Sequence, residues 1–285
     1  MRIDLHLHTN ASDGQLAPAE LVRTARRARL DLIAITDHDT VAGVEEALEE
    51  ARRGGDEDAA GEADVARTIV IPGIEVSSTH AGGELHFLGY FVDHRLPLLT
   101  DFATAAAERR RSRIRGMIEL LARLGIEIEY DDVVAAAGVG ATNLGRPHLA
   151  RALVARGYVT TIGDAFERYL GDDGPAFLPT ELLTPREAIE LIEAAGGLAV
   201  WAHPPRELVE SELEKFVEWG LQGLECHRPR NTTTTTHHLL FAAEAYELLV
   251  TGGSDWHGDW HGPLGGFSVG EHQIEEFLRE TGILG

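Results

Sequence analysis

At 285 residues with 44% hydrophobic side chains, the chain can bury one large core, and a single barrel-type domain carrying an insertion fits that size. A single cysteine, Cys226, excludes a disulfide framework and a thiolate-rich metal site, so any metal must be held by His, Asp and Glu. The net charge of −22, with Lys215 the only lysine, excludes wide contact with duplex DNA but leaves room for a small anion or a strand end.

The chain opens on MRIDLHLHTNASDG, without a charged leader and apolar stretch. No later segment approaches the roughly 20 uninterrupted apolar residues that cross a bilayer, so a cytoplasmic protein without membrane contact is expected. Nothing in the composition sets the oligomeric state.

The first strand reads IDLHLH from Ile3, and Pro18 opens a helix to Leu30 with Leu21, Val22, Ala25 and Ala28 on one face. The strand LIAIT follows, then a helix from about Thr40 to Arg53 and a polar loop from Gly54 to Asp64. TIVIPGIEV is a third strand, and ELHFLGYFV returns as a hairpin partner after Gly82 and Gly83. From Leu98 to Pro179 the alternation breaks into helices with an arginine cluster, Arg109, Arg110, Arg111, Arg113 and Arg115, which suits contact with an RNA strand but is explained as well by an exposed helix face paired with Glu108 and Glu119. Alternation resumes with a helix at Pro185–Ala195, strand GLAVWA, a helix from Leu208 to Trp219, strand GLECH, a helix from His237 to Glu247 and strand LLVTGG. Strands alternating with helices argue for an α/β barrel formed by 1–97 and 180–285, with 98–179 an inserted helical subdomain capping the site.

Histidines and carboxylates gather at the ends of the strands: His6 and His8, Asp37 and His38, Glu75, His86, His203, Asp255 and His257. In a parallel barrel those ends converge on one face. His6 and His8 alternate with Leu5 and Leu7, so both imidazoles point to one side and can grip one ion. Glu75 leaves the most apolar stretch nearby, where a carboxylate is costly unless paired or bound to a cation. Each also has a plainer reading. Asp13 in A-S-D-G suits a turn, Asp37 or Asp39 suits a helix cap, and His86 suits a satisfied core histidine.

Taken in order, H-L-H-T-x-x-S-D-G, T-D-H-D, G-I-E-V-S, E-L-H-F-L-G-Y, A-H-P and G-G-S-D-W-H-G resemble the polymerase and histidinol phosphatase (PHP) family over nearly the whole chain. The resemblance implies a distorted seven-stranded (β/α) TIM-like barrel and a trinuclear metal centre. His6, His8, Glu75 and Asp255 would hold one ion, Glu75, His86 and His203 a second, and Asp13, His38 and His257 a third. G-R-P-H-L-A-R-A-L at Gly145 and A-F-E-R-Y-L-G at Ala165 resemble the branch that hydrolyses nucleoside 3′,5′-bisphosphates and trims RNA from its 5′ end. There Arg146, His148 and Arg206 would bind substrate phosphates. A lysine that this branch implies between Leu170 and Pro175 is absent from G-D-D-G-P.

Three divalent ions facing Asp13, Glu75 and Asp255 would leave a formal charge of about +3, a cationic well in an acidic protein. Mixed N and O donors suit Mn²⁺, Zn²⁺ or Fe²⁺, with Mn²⁺ favoured here. The implied chemistry is in-line attack of activated water on phosphorus, with Arg146 neutralising the phosphoryl oxygens and Asp255 or His257 delivering a proton to the leaving oxygen. The expected partners are a small phosphorylated nucleotide and short RNA 5′ ends. Gln15, His227 and Trp256 are candidates to flank the base.

Three other functions compete. A phosphatase for another small monoester, such as histidinol phosphate, would share the centre. A non-catalytic metal-binding scaffold would not need every ligand position filled. An amidohydrolase with a lysine bridge would depend on Lys215, which sits mid-helix in E-L-E-K-F-V-E-W.

Overall fold

The computed structural model describes residues 1–57, 67–138, 141, 143–179 and 182–284. Strands β1 (Arg2–Leu7), β2 (Leu32–Ile35) and β3 (Ile69–His80) run parallel, joined by helices α1 (Pro18–Arg27) and α2 (Val44–Glu57). Pro18 opens α1, where its missing N–H costs nothing. The helix α2 continues to Glu57 instead of stopping at Arg53, and the remainder of the expected loop, 58–64, lies outside the described residues.

Strand β4 (Gly83–Tyr90) is the hairpin partner that the Gly82–Gly83 turn predicts, antiparallel to β3, and it departs from the parallel pattern on its other side too, where it pairs antiparallel with β5 (Leu198–Trp201). The β3–β4 hairpin therefore stands where a parallel barrel would place a strand and a crossover helix. Strands β5, β6 (Gly223–His227) and β7 (Leu249–Gly252) are again parallel, with α7 (Pro185–Ala194), α8 (Arg206–Glu218) and α9 (Thr233–Ala245) between them and before them. Helix α9 begins within the threonine run, where the Thr232 hydroxyl accepts the Thr235 N–H at 3.1 Å and caps the helix.

The barrel closes where the chain leaving β7 meets β1. The Trp256 N–H donates to the His6 carbonyl at 3.3 Å and the His8 N–H donates to the Trp256 carbonyl at 3.0 Å. Gly253 permits this approach, because a Cβ there would collide with the His6 side chain and backbone. A two-residue strand β8 (Val269–Gly270) adds to the other side of β1, and the following helix α10 (Glu275–Glu280) buries Phe277 and Leu278.

Two apolar layers follow from the alternation of the strands. Ile71, Leu88, Tyr90 and Val200 lie in one, on the strand faces that carry Glu75 and His86 further along. Ile74, Phe87, Trp201 and Leu224 lie in the other, against Leu21, Ile189 and Phe216 of the helices. Leu5 and Leu7, expected to share a face, join different layers because the β1 register shifts between Asp4 and Leu7.

Between β4 and α7 come α3 (Pro97–Arg123), α4 (Tyr130–Ala137), α5 (Arg146–Ala155), α6 (Ile162–Ala165) and a π-helical turn (Phe166–Leu170). They pack around a hydrophobic cluster of their own that includes Ile114, Met117, Leu121, Val133, Leu149, Leu153 and Leu170. The fold is thus an α/β, TIM-like barrel distorted at β4, with a helical segment laid beside the strand ends. Among the described residues no helix is long and apolar enough to cross a membrane.

Candidate metal centre

Strand β3 outruns β2, and its extension pairs with T-D-H-D: the Asp39 N–H donates to the Glu75 carbonyl at 2.8 Å and the Glu75 N–H to the Asp37 carbonyl at 3.1 Å. This registers His38 beside Glu75. From the other side, His86 on β4 and His203 beyond β5 reach the same carboxylate. His86 Nδ1 lies 2.9 Å and His203 Nε2 3.0 Å from Glu75 Oε1. His203 and Asp255 leave their strands with φ of 33° and 57°, in the left-handed region that is costly for non-glycine residues. Such strain clusters at functional sites.

Glu75 Oε2 faces the second group. His6 Nε2 and His8 Nε2 approach it at 3.2 and 3.1 Å, and both nitrogens lie 3.5 Å from Asp255 Oδ1. Ligands about 2.1 Å from a tetrahedral ion sit roughly 3.4 Å apart, so these separations match atoms sharing one ion. A further group forms around Asp13, whose Oδ1 is 3.4 Å from His257 Nε2 and 3.8 Å from His8 Nδ1, and whose Oδ2 is 4.0 Å from His38 Nε2. His38 Nδ1 also lies 3.1 Å from Glu75 Oε2, so its ring stands between Glu75 and Asp13. The expected residues from His6 to His257 are therefore brought together, in the groups His6, His8, Glu75 and Asp255, then His8, Asp13, His38 and His257, then His38, Glu75 and His86, where His38 stands in the place expected of His203, which reaches Glu75 from outside these groups.

The polar atoms at the heart of this cluster fit a cation. His6 Nε2, His8 Nδ1 and Nε2, Asp13 Oδ1, His38 Nδ1 and Glu75 Oε2 are buried without a hydrogen-bond partner among the described residues, although carboxylate oxygens or imidazole nitrogens lie within 4 Å. Close approach without hydrogen-bond alignment means that these lone pairs aim at shared points. Burial alone would raise the Glu75 and Asp255 carboxyls, yet the facing histidines hold both well below the usual range. Burial likewise opposes a charged His8, but Asp255 and Glu75 push it up to about 10. The cluster calls for positive charge, which protons or metal ions can supply.

The same sequence matches the PHP domain over residues 4–131. It is 35% identical to the 5′-3′ exoribonuclease of Haemophilus influenzae over 261 residues, covering 90% of each chain. It is 30% identical to the 3′,5′-nucleoside bisphosphate phosphatase of Chromobacterium violaceum over 265 residues, covering 91% of this chain and 88% of the relative. The chain belongs to the PHP family of metal-dependent phosphoesterases. A solved structure described as a metal-dependent phosphoesterase from Bifidobacterium adolescentis superposes with a TM-score of 0.85 at 33% identity, covering 97% of this chain and 95% of that one.

Around the PHP centre stand residues that the sequence reading missed. Glu225, buried on β6, accepts from His6 Nδ1 at 2.9 Å and from the His203 backbone N–H at 2.8 Å, fixing the His6 ring and the chain at His203 at once. Arg228 donates to Asp255 Oδ2 at 2.9 Å. Asp37 and Asp39 are not helix caps. Asp37 accepts from the Thr9 N–H, the Thr9 hydroxyl and the Ser12 hydroxyl at 2.6–2.7 Å, pinning the loop that carries Asp13. Asp39 accepts from Arg110 Nε at 2.8 Å and from the Ser77 N–H at 2.7 Å, tying α3 to the barrel.

The arginine cluster, read as an exposed helix face, divides in two. Arg109, Arg111 and Arg115 are exposed, whereas Arg110 and Arg113 are buried and line a cavity of about 120 Å³ with Asp13, His38, His86 and His257. Arg146 lines it too. Glu84 spans the guanidiniums, with Oε1 3.4 Å from Arg113 and Oε2 3.2 Å from Arg146. Burial opposes its charge, but His86 and the arginines hold its carboxyl down at about 2. Where the related branch implies a lysine, this chain presents Asp172, which pairs with Arg146 at 2.6 Å.

Other expected residues stand apart. His148 is buried and its Nδ1 accepts the Gly145 N–H at 2.9 Å, so it closes the first turn of α5 beside the cavity. Arg206 is exposed, pairs with Glu210 at 3.4 Å and is not among the residues lining the cavity. Trp256 is buried and His227 faces Gln273. Gln15 is bonded to Asp259. Lys215 is exposed and pairs with Glu212 at 3.0 Å, outside the metal-centre groups.

Proposed function

We propose that the chain cleaves the bond between phosphorus and the ribose 3′ oxygen in nucleotides that also carry a 5′-phosphate, releasing the 3′-phosphate of nucleoside 3′,5′-bisphosphates and trimming RNA from its 5′ end. One observation carries this reading: a single cavity is lined both by Asp13, His38, His86 and His257 of the centre and by Arg110, Arg113 and Arg146, so that a second phosphate can compete with Glu84 for the guanidiniums beside the centre. A doubly phosphorylated nucleotide uses both sets.

His6, His8, Glu75, Asp255, His86, His203, Asp13, His38 and His257 would hold divalent ions, with Mn²⁺ our choice for this mixed N and O set. Bound there, the ions would supply polarisation of the phosphoryl oxygens and an activated water. The remaining work falls to the chain. Arg113 and Arg146 grip the second phosphate through charge-assisted hydrogen bonds, and Phe177, whose ring lies 5.5 and 5.4 Å from their guanidinium carbons, holds them apart at a fixed spacing. Arg228 orients Asp255. Asp255 is held ionised, and burial with the neighbouring His8 charge pushes His257 down to about 4. As ligands of an ion, Asp255 and His257 would be poor donors of a proton to the leaving oxygen.

A phosphatase for histidinol phosphate is the competing reading, since Glu84 in the same cavity offers a carboxylate to that substrate's ammonium group. After chelation and reconstitution with Mn²⁺, phosphate release from adenosine 3′,5′-bisphosphate should exceed that from histidinol phosphate. Equal or reversed rates would remove the nucleotide from the proposal.

A further inference from the structure

A nucleoside 3′,5′-bisphosphate and a 5′-phosphorylated RNA differ, at the reacting phosphorus, in one respect. The RNA phosphate is esterified to a further nucleotide, which must leave the centre on a path of its own. The structure offers such a path at the His257 end. His257 stacks on His8 with ring centroids 3.9 Å apart, His261 follows at 5.3 Å from His257, and Trp260 at 6.1 Å from His261.

Trp260 is 41% exposed, an unusual placement for the largest apolar side chain. It is held in place nonetheless. The Arg151 guanidinium carbon lies 4.6 Å from its ring centroid, and Arg151 Nη2 donates to the carbonyl of Asp13, a candidate metal ligand, at 2.5 Å. His261 Nδ1 and His257 Nδ1 each lie 2.9 Å from the Asp255 carbonyl oxygen. Gln15 fixes the turn before the indole by accepting the Asp259 N–H at 2.8 Å and donating to Asp259 Oδ2 at 3.1 Å. At Gly258 a side chain would strike the indole. The aromatic surface is thus built from both sides of the metal centre and joined to it through Asp13 and Asp255.

We propose that Trp260, with Arg151 stacked on it, is the platform for the nucleobase on the 3′ side of the scissile phosphate in single-stranded RNA. Bases of any kind stack on an aromatic ring, and a guanidinium beside it adds attraction for the backbone and the base face. The inference rests on the reading that the centre cleaves 5′-phosphorylated nucleotides, and it adds the subsite that would make an oligonucleotide a better substrate than its size alone allows. The only carboxylate in the turn, Asp259, is engaged by Gln15.

The test compares kcat/KM of the Mn²⁺-loaded enzyme on a 5′-phosphorylated RNA trinucleotide and on adenosine 3′,5′-bisphosphate. Trp260→Ala should lower the value for the trinucleotide by about 5- to 150-fold, the worth of one base stack, and leave the bisphosphate value within about twofold. Trp260→Phe should restore most of the loss. Equal losses on both substrates would assign Trp260 a structural role, and an unchanged trinucleotide value would remove it from the strand path. Either result overturns the inference while leaving bisphosphate hydrolysis by the wild type standing. Absence of wild-type hydrolysis of both substrates would overturn the functional reading and this inference with it.

Discussion

Glu225 and His6, neither with any exposed surface, face each other at 2.9 Å, carboxylate oxygen to imidazole Nδ1. That contact dictates the tautomer of His6. With its proton on Nδ1, the ring turns the Nε2 lone pair towards Glu75 and Asp255. Replacing Glu225 by Gln keeps the volume but lets the ring take either tautomer. Metal affinity should fall by about 10- to 100-fold, the usual cost of losing such a partner. Titration of the apoprotein with Mn²⁺ by calorimetry checks this, and an unchanged binding curve would mean that Glu225 serves packing alone.

In the proposed function Arg146 would supply the 5′-phosphate with a charge-assisted contact worth about 1.5–3 kcal/mol. Arg146→Met should therefore raise KM for adenosine 3′,5′-bisphosphate by about 10- to 100-fold. Adenosine 3′-monophosphate lacks the 5′-phosphate and should be hydrolysed with nearly the same KM by both proteins. A parallel rise on both substrates would detach Arg146 from the 5′-phosphate.

Arg110 and Asp39 form a buried pair that joins α3 to the strand ends. Arg110→Ala leaves the Asp39 carboxylate uncompensated, a change that costs about 3–5 kcal/mol. Chemical denaturation should show the loss. The double change Arg110→Met with Asp39→Asn should recover a large part of it, since no lone charge then remains, and failure to recover would point to packing lost with the arginine stem.

Cys226 is fully buried on β6, and burial pushes its thiol up. The reactive thiolate is thus both scarce and shielded. Ellman's reagent should find no thiol in the native protein and one after unfolding; rapid native labelling would show that the β6 region opens readily.

Much of this centre is legible in the sequence because each candidate ligand breaks a local pattern. His6 and His8 punctuate an apolar strand, Glu75 follows I-V-I-P-G-I, and Asp255 and His257 end L-L-V-T-G-G. Glu225 breaks GLECH in the same way, so the signal that exposed Glu75 was present there too. Arg110 and Arg113 were legible as well. They fall in step with Ala106, Met117 and Leu121 on the buried stripe of α3, whereas the exposed-face reading treated the whole cluster by charge alone. The antiparallel pairing of β4 with β3 was legible in the Gly82–Gly83 turn, whereas its antiparallel pairing with β5 was hidden, because the long helical insertion between those two strands leaves no turn to set the sense. Trp260 and the Glu84 bridge depend on contacts between the inserted helices and the barrel, which no local period encodes.

Crystals grown with Mn²⁺ and measured near the manganese absorption edge test the central claim most directly. The account predicts anomalous peaks at three points: between His6, His8, Glu75 and Asp255; between Glu75, His86 and His203; and beside Asp13, His38 and His257. Anomalous density confined to the surface, with none between these side chains, would contradict it.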